Sequence, residues 1–502
     1  MVGLSLRGHV CIHGHWYQPP RENPFTGTIG VQPSAAPYRD WNERITAECY
    51  APNARAEILG DDGAVTVRVN NYEHVSSDWG PTLLAWMEKH HPEVHQAVVD
   101  SDRVSRERHD GHGNAVAHTY NHTILPLSNR RDKRTQILWG IADFKHRFGR
   151  DPEGLWLPET AVDLETLDLA AAAGIGFTIL APRQAMAVYE AGQWVETADG
   201  SIDPRVPYEV SLAGDRRIAV FFYDGAVSQE IAFNGLLEDG AVLASRLVEA
   251  LGDPGPDALL SHVATDGETY GHHHRHGEMA LAKAIEMLEA DPEIELTNYG
   301  RFLADHPPTR MARIHEDTAW SCAHGVDRWR DDCGCSTGAN QGWDQQWRRP
   351  LREALDHLRD ALSPRFEELG STVLANPWAA RDSYIEMILG GEPGAFLDRH
   401  GSTPDDADRR RLALDLLEIQ HRAMLMYTSC GWFFDDITGL ESVFVLRQAG
   451  RVIEMARTVH DLDLEPGFLA ILEQARSNVD GQSGRTIYED SVLPFMASAQ
   501  PA

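Results

Sequence analysis

LLSHVATDGETYGHHH, residues 259–274, carries the reading that decides the fold. Leu259 to Thr265 is a short apolar run of the kind that fills a buried parallel strand, and at Asp266 the chain turns abruptly polar. The same change recurs along the first three hundred residues. Apolar runs at His9 to His13, Val65 to Asn70, Ala115 to His118, Gly154 to Leu157, Phe177 to Leu180 and Ile218 to Tyr223 complete a set of seven expected strands. Most are followed by a polar cluster: HGHWYQPP at 13–20, NYEHVSSDWG at 71–80, TYNHTILPL at 119–127, PET at 158–160 and DGAVSQE at 224–230. An eighth, shorter strand is expected near Ile294 to Thr297. Helices are expected between strands, as at Met279 to Ala290, where Leu281, Ile285 and Leu288 recur at helical spacing. Alternating strands and helices with polar groups gathered at one strand end predict an α/β fold, an incomplete (β/α)7 TIM-like barrel.

Two of the polar ends carry acids a hundred residues apart, Glu159 in GLWLPETAVD (154–163) and Asp266. A barrel brings the C-terminal ends of its strands to one face, so the two carboxyls are expected to converge. A carboxylate that attacks and a second carboxyl that donates a proton are the two groups that cleavage of a glycosidic bond requires. The duller readings are an acid in the first turn of a helix for Glu159 and an Asp-Gly turn for Asp266.

Length and charge narrow the class. A chain of 502 residues has room for two or three domains and a large core. It carries 45 basic and 76 acidic side chains, a net charge of −31 that opposes binding to nucleic acid or an anionic membrane. Lys89, Lys133, Lys145 and Lys283 are its only lysines. No run approaches the roughly 20 apolar residues of a membrane span. The N-terminus MVGLSLRGHVCIHGHW has no leader-like pattern, so a cytoplasmic location is expected. Six unevenly spaced cysteines read as reduced thiols rather than a disulfide framework.

Pro307 and Pro308 place the expected boundary near 306–310, giving a barrel domain over 1–310 and a mainly α-helical domain over 311–502. In the latter, Leu351, Leu355, Leu358 and Leu362 form one apolar stripe, Leu412, Leu416, Ile419, Ala423 and Met426 a second, and Val443, Leu446, Ala449 and Ile453 a third.

Four segments in order resemble the motifs of glycoside hydrolase family 57, the retaining α-glucan-active enzymes that include α-amylases, 4-α-glucanotransferases and branching enzymes. HGHWYQPP is similar to the first motif, although Trp16 and Tyr17 separate the histidine from Gln18-Pro19. TYNHTILPL is similar to the second, with His122 ahead of Leu-Pro-Leu. GLWLPETAVD and DGETYGHHH are similar to the third and fourth. The resemblance covers roughly residues 1–310. It implies that Glu159 is the nucleophile and Asp266 the acid/base, with Glu268 and His272 matching the remainder of the fourth motif. It also implies an α-glucan or oligosaccharide substrate and, consistent with the strand pattern, an incomplete seven-stranded barrel. AWSCAHGVDRW (319–329) and SCGWFFDD (429–436) resemble an uncharacterised C-terminal extension found on some members.

His13, His15, Trp16, Gln18, His122, Glu268, His272 and Trp320 are the expected substrate-binding residues: polar groups for sugar hydroxyls, and indoles for the apolar faces of pyranose rings. For the histidines the alternative is a hydrogen-bonded structural role, and for the tryptophans a place in the core. No cofactor and no metal is assigned. Cys322, His324, Cys333 and Cys335 have the ligand types of a tetrahedral structural zinc, with a loop of reduced cysteines beside Trp320 and Trp329 as the alternative. The readings set against a retaining glycosidase are a zinc-dependent hydrolase of deacetylase or mannosidase type, built on the strand-end histidines, and a non-catalytic glucan-binding protein.

Overall fold

The structure, a computed structural model, describes residues 6–498 apart from 61, 199, 254–257 and 403–405. The chain divides into two compact units. Met1–Gln18, Val31–His118 and Phe144–Glu316 make the first, and Pro19–Gly30, Thr119–Asp143 and Asp317–Ala502 the second. The helical unit is therefore not only the C-terminal stretch; two earlier segments of the chain join it.

The first unit is an incomplete (β/α)7 barrel. Its parallel strands are β1 (Gly8–Trp16), β2 (Ser76–Trp79), β3 (Ala115–His118), β4 (Leu155–Trp156), β5 (Phe177–Leu180), β6 (Arg217–Phe222) and β7 (Leu260–Asp266). They run around the barrel as β7-β1-β2-β3-β4 and β5-β6, with a single parallel bridge from Gly154 to Phe177 joining β4 to β5. Between β6 and β7 the ladder is interrupted. One bond crosses there, from Asp224 N–H to the His262 carbonyl at 2.9 Å, and the antiparallel strand Tyr208–Ser211 occupies the other edge of β6. The strand interiors Val10, Ile12, Ile179, Val220 and Val263 are at most 2 % exposed, as expected of strands covered on both faces.

One strand differs from the sequence expectation. Val65–Val69, largely exposed, lies outside the barrel in an antiparallel hairpin with Ala56–Leu59, and the second barrel strand is Ser76–Trp79. The run Val65 to Asn70 reads as a strand because β-branched valine and threonine fill four of its first five positions. The segment SSDW is short and polar, and its polarity belongs to the barrel interior, where Ser76 and Asp78 are hydrogen-bonded and fully covered. The strand Ile294–Leu296 is present but pairs with the start of β1, at Gly8 to Val10, beside β2's position on that edge.

The second unit is mainly helical. The long helices Arg348–Val373, Ala407–Leu425 and Leu440–His460 pack against one another. Leu351, Leu355, Leu358, Leu362, Leu416, Ile419, Leu446, Ala449 and Ile453 are completely covered, whereas Leu412 and Val443 at the stripe edges are half-buried. Tyr120 and Trp139 enter the same core beside Phe366, Leu416 and Leu417, and Arg21 pairs with Glu441 at 3.2 Å. Those contacts explain why Pro19–Gly30 and Thr119–Asp143 count with this unit. Among the described residues no helix is long and apolar enough to cross a membrane.

Candidate active site

Strand register builds the centre of the site. His15 on β1 is paired with Asp266 on β7 to one side and Asp78 on β2 to the other, and His13 is paired with Ser76. Residues two apart on a strand share a face, so His13 and His15 project together. Asp78 receives both: His13 Nε2–H donates to Oδ1 at 3.0 Å and His15 Nδ1–H to Oδ2 at 2.8 Å. Ser76 Oγ lies 3.0 Å from His13 Nδ1 and completes that ring. Trp156, at the end of β4, stacks on both imidazoles with centroid separations of 4.9 and 5.2 Å, and His118 from β3 stacks on His15 at 5.5 Å.

This arrangement fixes the charges. Asp78 is fully covered, which by itself would raise its pKa, but His15 and the two imidazole hydrogen bonds hold it down at about 2. Burial would likewise strip the proton from His15, yet Asp78 first, and then Asp266 and Glu159, lift it to about 9. His13 goes the other way, lowered because burial outweighs its bond to Asp78. At neutral pH the centre thus holds an ionised Asp78, an imidazolium at His15 and a neutral His13.

Glu159 follows β4 in the short turn Pro158–Thr160 and adopts φ 58°, ψ 19°; Thr160 has φ 52°. Two successive left-handed residues without glycine, one of them β-branched, are strained by of order 1–3 kcal/mol each. Gln184 holds the turn in place. Its Oε1 accepts from Thr160 Oγ1 at 2.9 Å and from Ala181 N–H at 2.8 Å, and its Nε2 donates to the Thr160 carbonyl at 2.9 Å.

Asp266 ends β7. Water reaches its side chain, but protein crowds the carboxyl closely enough that desolvation leads the list of effects raising its pKa to about 7. Glu159, Glu268 and Asp78 push in the same direction, and His15 opposes them. The charge of Glu159 is therefore felt at both Asp266 and His15, which brings the two predicted acids into one electrostatic site.

The remaining residues singled out from the sequence fall into three groups. Gln18 donates to Glu268 Oε1 at 2.8 Å, and Tyr50 donates to the same oxygen at 2.6 Å, fixing Glu268 beside the β7 end. His272 Nδ1 lies 2.6 Å from Glu48 Oε2 with its ring edge-on to Trp41, whereas His273 turns to Thr269 and His274 to the Ala232 carbonyl. Trp16 departs from expectation. It is 0 % exposed, stacked on Trp79 at 5.2 Å, and the Gly267 backbone passes so close that a Cβ there would lie 2.2 Å from the indole. Strand alternation turns Trp16 away from His13 and His15, so the expected sugar-stacking face is spent on the core. His122 and Trp320 belong to the second unit. His122, at φ 53°, is fully covered with Nδ1 2.6 Å from Ser429 Oγ, and Trp320 is half-buried in a turn.

Asp78, Tyr50 and Gln184 were not singled out from the sequence. For Asp78 the signal was present in SSDW, a serine and an acid at alternate positions ahead of a tryptophan. Nothing local distinguishes Tyr50, whose partner Glu268 is 218 residues away, or Gln184, whose bonds to Thr160 span 24.

Residues 45–315 match the family model described as glycosyl hydrolase family 57, and residues 343–501 match a domain of unknown function, DUF3536. Over 98 residues the chain is 31 % identical to alpha-amylase 1 of Dictyoglomus thermophilum, a stretch amounting to 20 % of this chain and 13 % of that protein. The fold resembles that of an exo-type maltose-forming amylase from Pyrococcus sp. ST04, with a TM-score of 0.68 at 15 % identity, covering 97 % of this chain and 88 % of that one. It also resembles a branching enzyme from Pyrococcus horikoshii, with a TM-score of 0.56 at 13 % identity, covering 98 % and 97 %. At these identities the likeness speaks for the fold.

Proposed function

The chain belongs to glycosyl hydrolase family 57, and from that premise we propose that it is a retaining α-glucan-active enzyme, a hydrolase or transglycosylase. Glu159 is the nucleophile. Its carboxylate attacks the anomeric carbon while Asp266 passes its proton to the departing glycosidic oxygen, leaving a glycosyl ester on Glu159. With the charge of Glu159 consumed in that ester, Asp266 loses its proton more readily and is ready to act as base. It then takes a proton from water or from a sugar hydroxyl, whose oxygen displaces Glu159 and restores the original anomeric configuration.

The observation that carries this reading is the placement of Glu159 just past the end of β4 and Asp266 at the end of β7, where the charge of Glu159 helps raise the proton affinity of Asp266. A carboxylic acid near pKa 7 that feels the charge of a second carboxyl group is the pairing that double displacement needs. His15, Gln18, Glu268 and His272 are the polar groups around it, suited to sugar hydroxyls. Of the strand-end histidines on which a zinc-dependent hydrolase would be built, His13 has both ring nitrogens engaged, by Ser76 and Asp78.

The test is incubation of the purified chain with maltooligosaccharides, following the anomeric protons of new products by NMR. Retention in the wild type, with at least a thousandfold loss in Glu159→Gln and Asp266→Asn, is expected. Initial products of inverted configuration, or full activity in both variants, would overturn the assignment.

A further inference from the structure

From Asp317 to Trp347 the second unit's chain contains no long element; the regular structure among its described residues is the 3-10 turn Asp327–Trp329 and isolated bridges such as that between Ala319 and Cys322. Stretches of this length with so little regular structure are uncommon inside compact units and need something to hold them. Neither matched family span reaches the middle of this segment, since one ends at 315 and the other begins at 343. Cys322, His324, Cys333 and Cys335 meet there, each with a ligand atom within 4.8 Å of those of the other three.

The spacing among these atoms is specific. Cys322 Sγ lies 3.9 Å from Cys333 Sγ and 3.8 Å from Cys335 Sγ, and Cys335 Sγ lies 3.5 Å from His324 Nδ1. A tetrahedral zinc with bonds of about 2.3 Å to sulfur and about 2.0–2.1 Å to nitrogen has S···S edges of roughly 3.8 Å and S···N edges of roughly 3.6 Å. The sulfurs are much too far apart for a disulfide at about 2.05 Å. One of them, Cys322, stands at that edge length from two others at once, which pairwise bonding does not explain.

Charge supplies an independent argument. Arg348 is 0 % exposed and Arg328 4 %. Arg328 donates to the carbonyls of Ser321 and Phe433, and Arg348 to that of Cys335 at 2.9 Å, with its Nη1 3.9 Å from Cys333 Sγ. Arg348 Nε has no partner among the described residues. The acid acting on Arg348, Asp435, is itself bound by the amide and hydroxyl of Thr337. Asp435 offsets one of the two buried guanidiniums, so against three neutral thiols one positive charge would be left unbalanced, which is expensive. Three thiolates and a neutral imidazole around a divalent cation carry a net charge of −1, at the place where those guanidiniums lie.

We propose that Cys322, His324, Cys333 and Cys335 bind one zinc ion as a structural site of the helical unit. The set is three soft thiolates and an imidazole, which selects zinc over magnesium or calcium, and four protein ligands leave no open position for chemistry. Its role is to pin the 317–347 segment, with the net positive charge of Arg328, Arg348 and Asp435 balancing the complex. This selects the zinc over the loop of reduced cysteines that the ligand types alone leave open, and does not depend on the glycosidase assignment.

The experiment uses the full chain without a polyhistidine tag, gel-filtered after dialysis and analysed for metals by mass spectrometry. About one zinc per chain is expected, falling at least tenfold in Cys335→Ser. Chelator-stripped protein reloaded with Co²⁺ is expected to show the thiolate charge-transfer and intense visible bands of a tetrahedral site, and His324→Cys is expected to keep the metal while shifting those bands. These readouts are independent of glucan turnover, and the wild-type measurements decide the matter even where a serine variant does not fold. Wild-type protein with no stoichiometric zinc and no tetrahedral cobalt spectrum would overturn the proposal, as would a folded Cys335→Ser chain that keeps its full zinc complement.

Discussion

Asp266 and His15 are direct register partners on adjacent parallel strands, so the group with the raised carboxyl pKa stands beside the imidazolium that partly counteracts the rise. The proton on Asp266 is therefore set by a balance. Desolvation, Glu159, Glu268 and Asp78 hold it on; His15 loosens it. Since the acid form is present below about pH 7, kcat/KM on maltooligosaccharides is expected to fall along an alkaline limb near that pH. Glu268→Gln removes one of the negative charges that hold the proton, so the limb should move to lower pH. A pH profile measured on both proteins checks this, and an unmoved or alkaline-shifted limb in the variant speaks against Asp266 as the titrating acid.

Asp78 and His15 form a buried ion pair whose two halves give opposite pH dependences. The carboxyl is depressed to about 2, so its stabilisation is complete above the unfolded value near 3.8 and is lost as pH falls through 2. The imidazole is raised to about 9, so its contribution is complete below 6.5 and is lost as pH rises through 9. Asp78→Asn leaves the His15 charge buried without its partner and should cost about 3–5 kcal/mol. Urea unfolding at pH 6 and pH 9.5 is the check: the wild type should lose stability between the two, and the variant should lose markedly less. Equal slopes in both proteins would place the His15 proton elsewhere.

The strands and acids that the sequence made legible are those with local signatures. Ala115–His118 and Phe177–Leu180 are apolar runs with turn residues at their ends, and the PET and DGE clusters stand where such runs stop. Ser76–Trp79 was hidden because a barrel interior that carries polar groups inverts the usual rule. Its Ser76 and Asp78 are buried by pairing with His13, a partner sixty-odd residues away that no local pattern reveals. The same holds for Trp16, whose motif suggested an exposed ring. Only the register of β1 on β2, which sets Trp16 against Trp79, turns it into the core.

That register makes a prediction about Trp16. A ring packed on Trp79 and roofed by the Gly267 backbone contributes to stability rather than to sugar binding. Trp16→Phe should lower stability by roughly 1–3 kcal/mol through the space it leaves, and Trp16→Ala by about 3–5 kcal/mol. KM for maltooligosaccharides should stay within about twofold of wild type in the phenylalanine variant. A tenfold rise in KM at unchanged stability would restore Trp16 to the substrate.

Gln184 and Thr160 separate the cost of the strained turn from its use. Thr160→Gly relieves of order 1–3 kcal/mol of left-handed strain. Against that, it forfeits a hydrogen bond to Gln184 worth about 1 kcal/mol and adds unfolded-state entropy of about the same size. Net stability should move little. What changes is the freedom of Glu159, which the turn otherwise aims from the end of β4, and a nucleophile displaced by about an ångström costs up to roughly a hundredfold in rate. We therefore expect kcat to fall at least tenfold in Thr160→Gly with an unfolding midpoint near that of wild type, and Gln184→Leu to lower kcat similarly because it releases the bonds to Thr160 that clamp the turn. Wild-type kcat in both variants would mean that the two positive-φ residues are strain without a catalytic purpose.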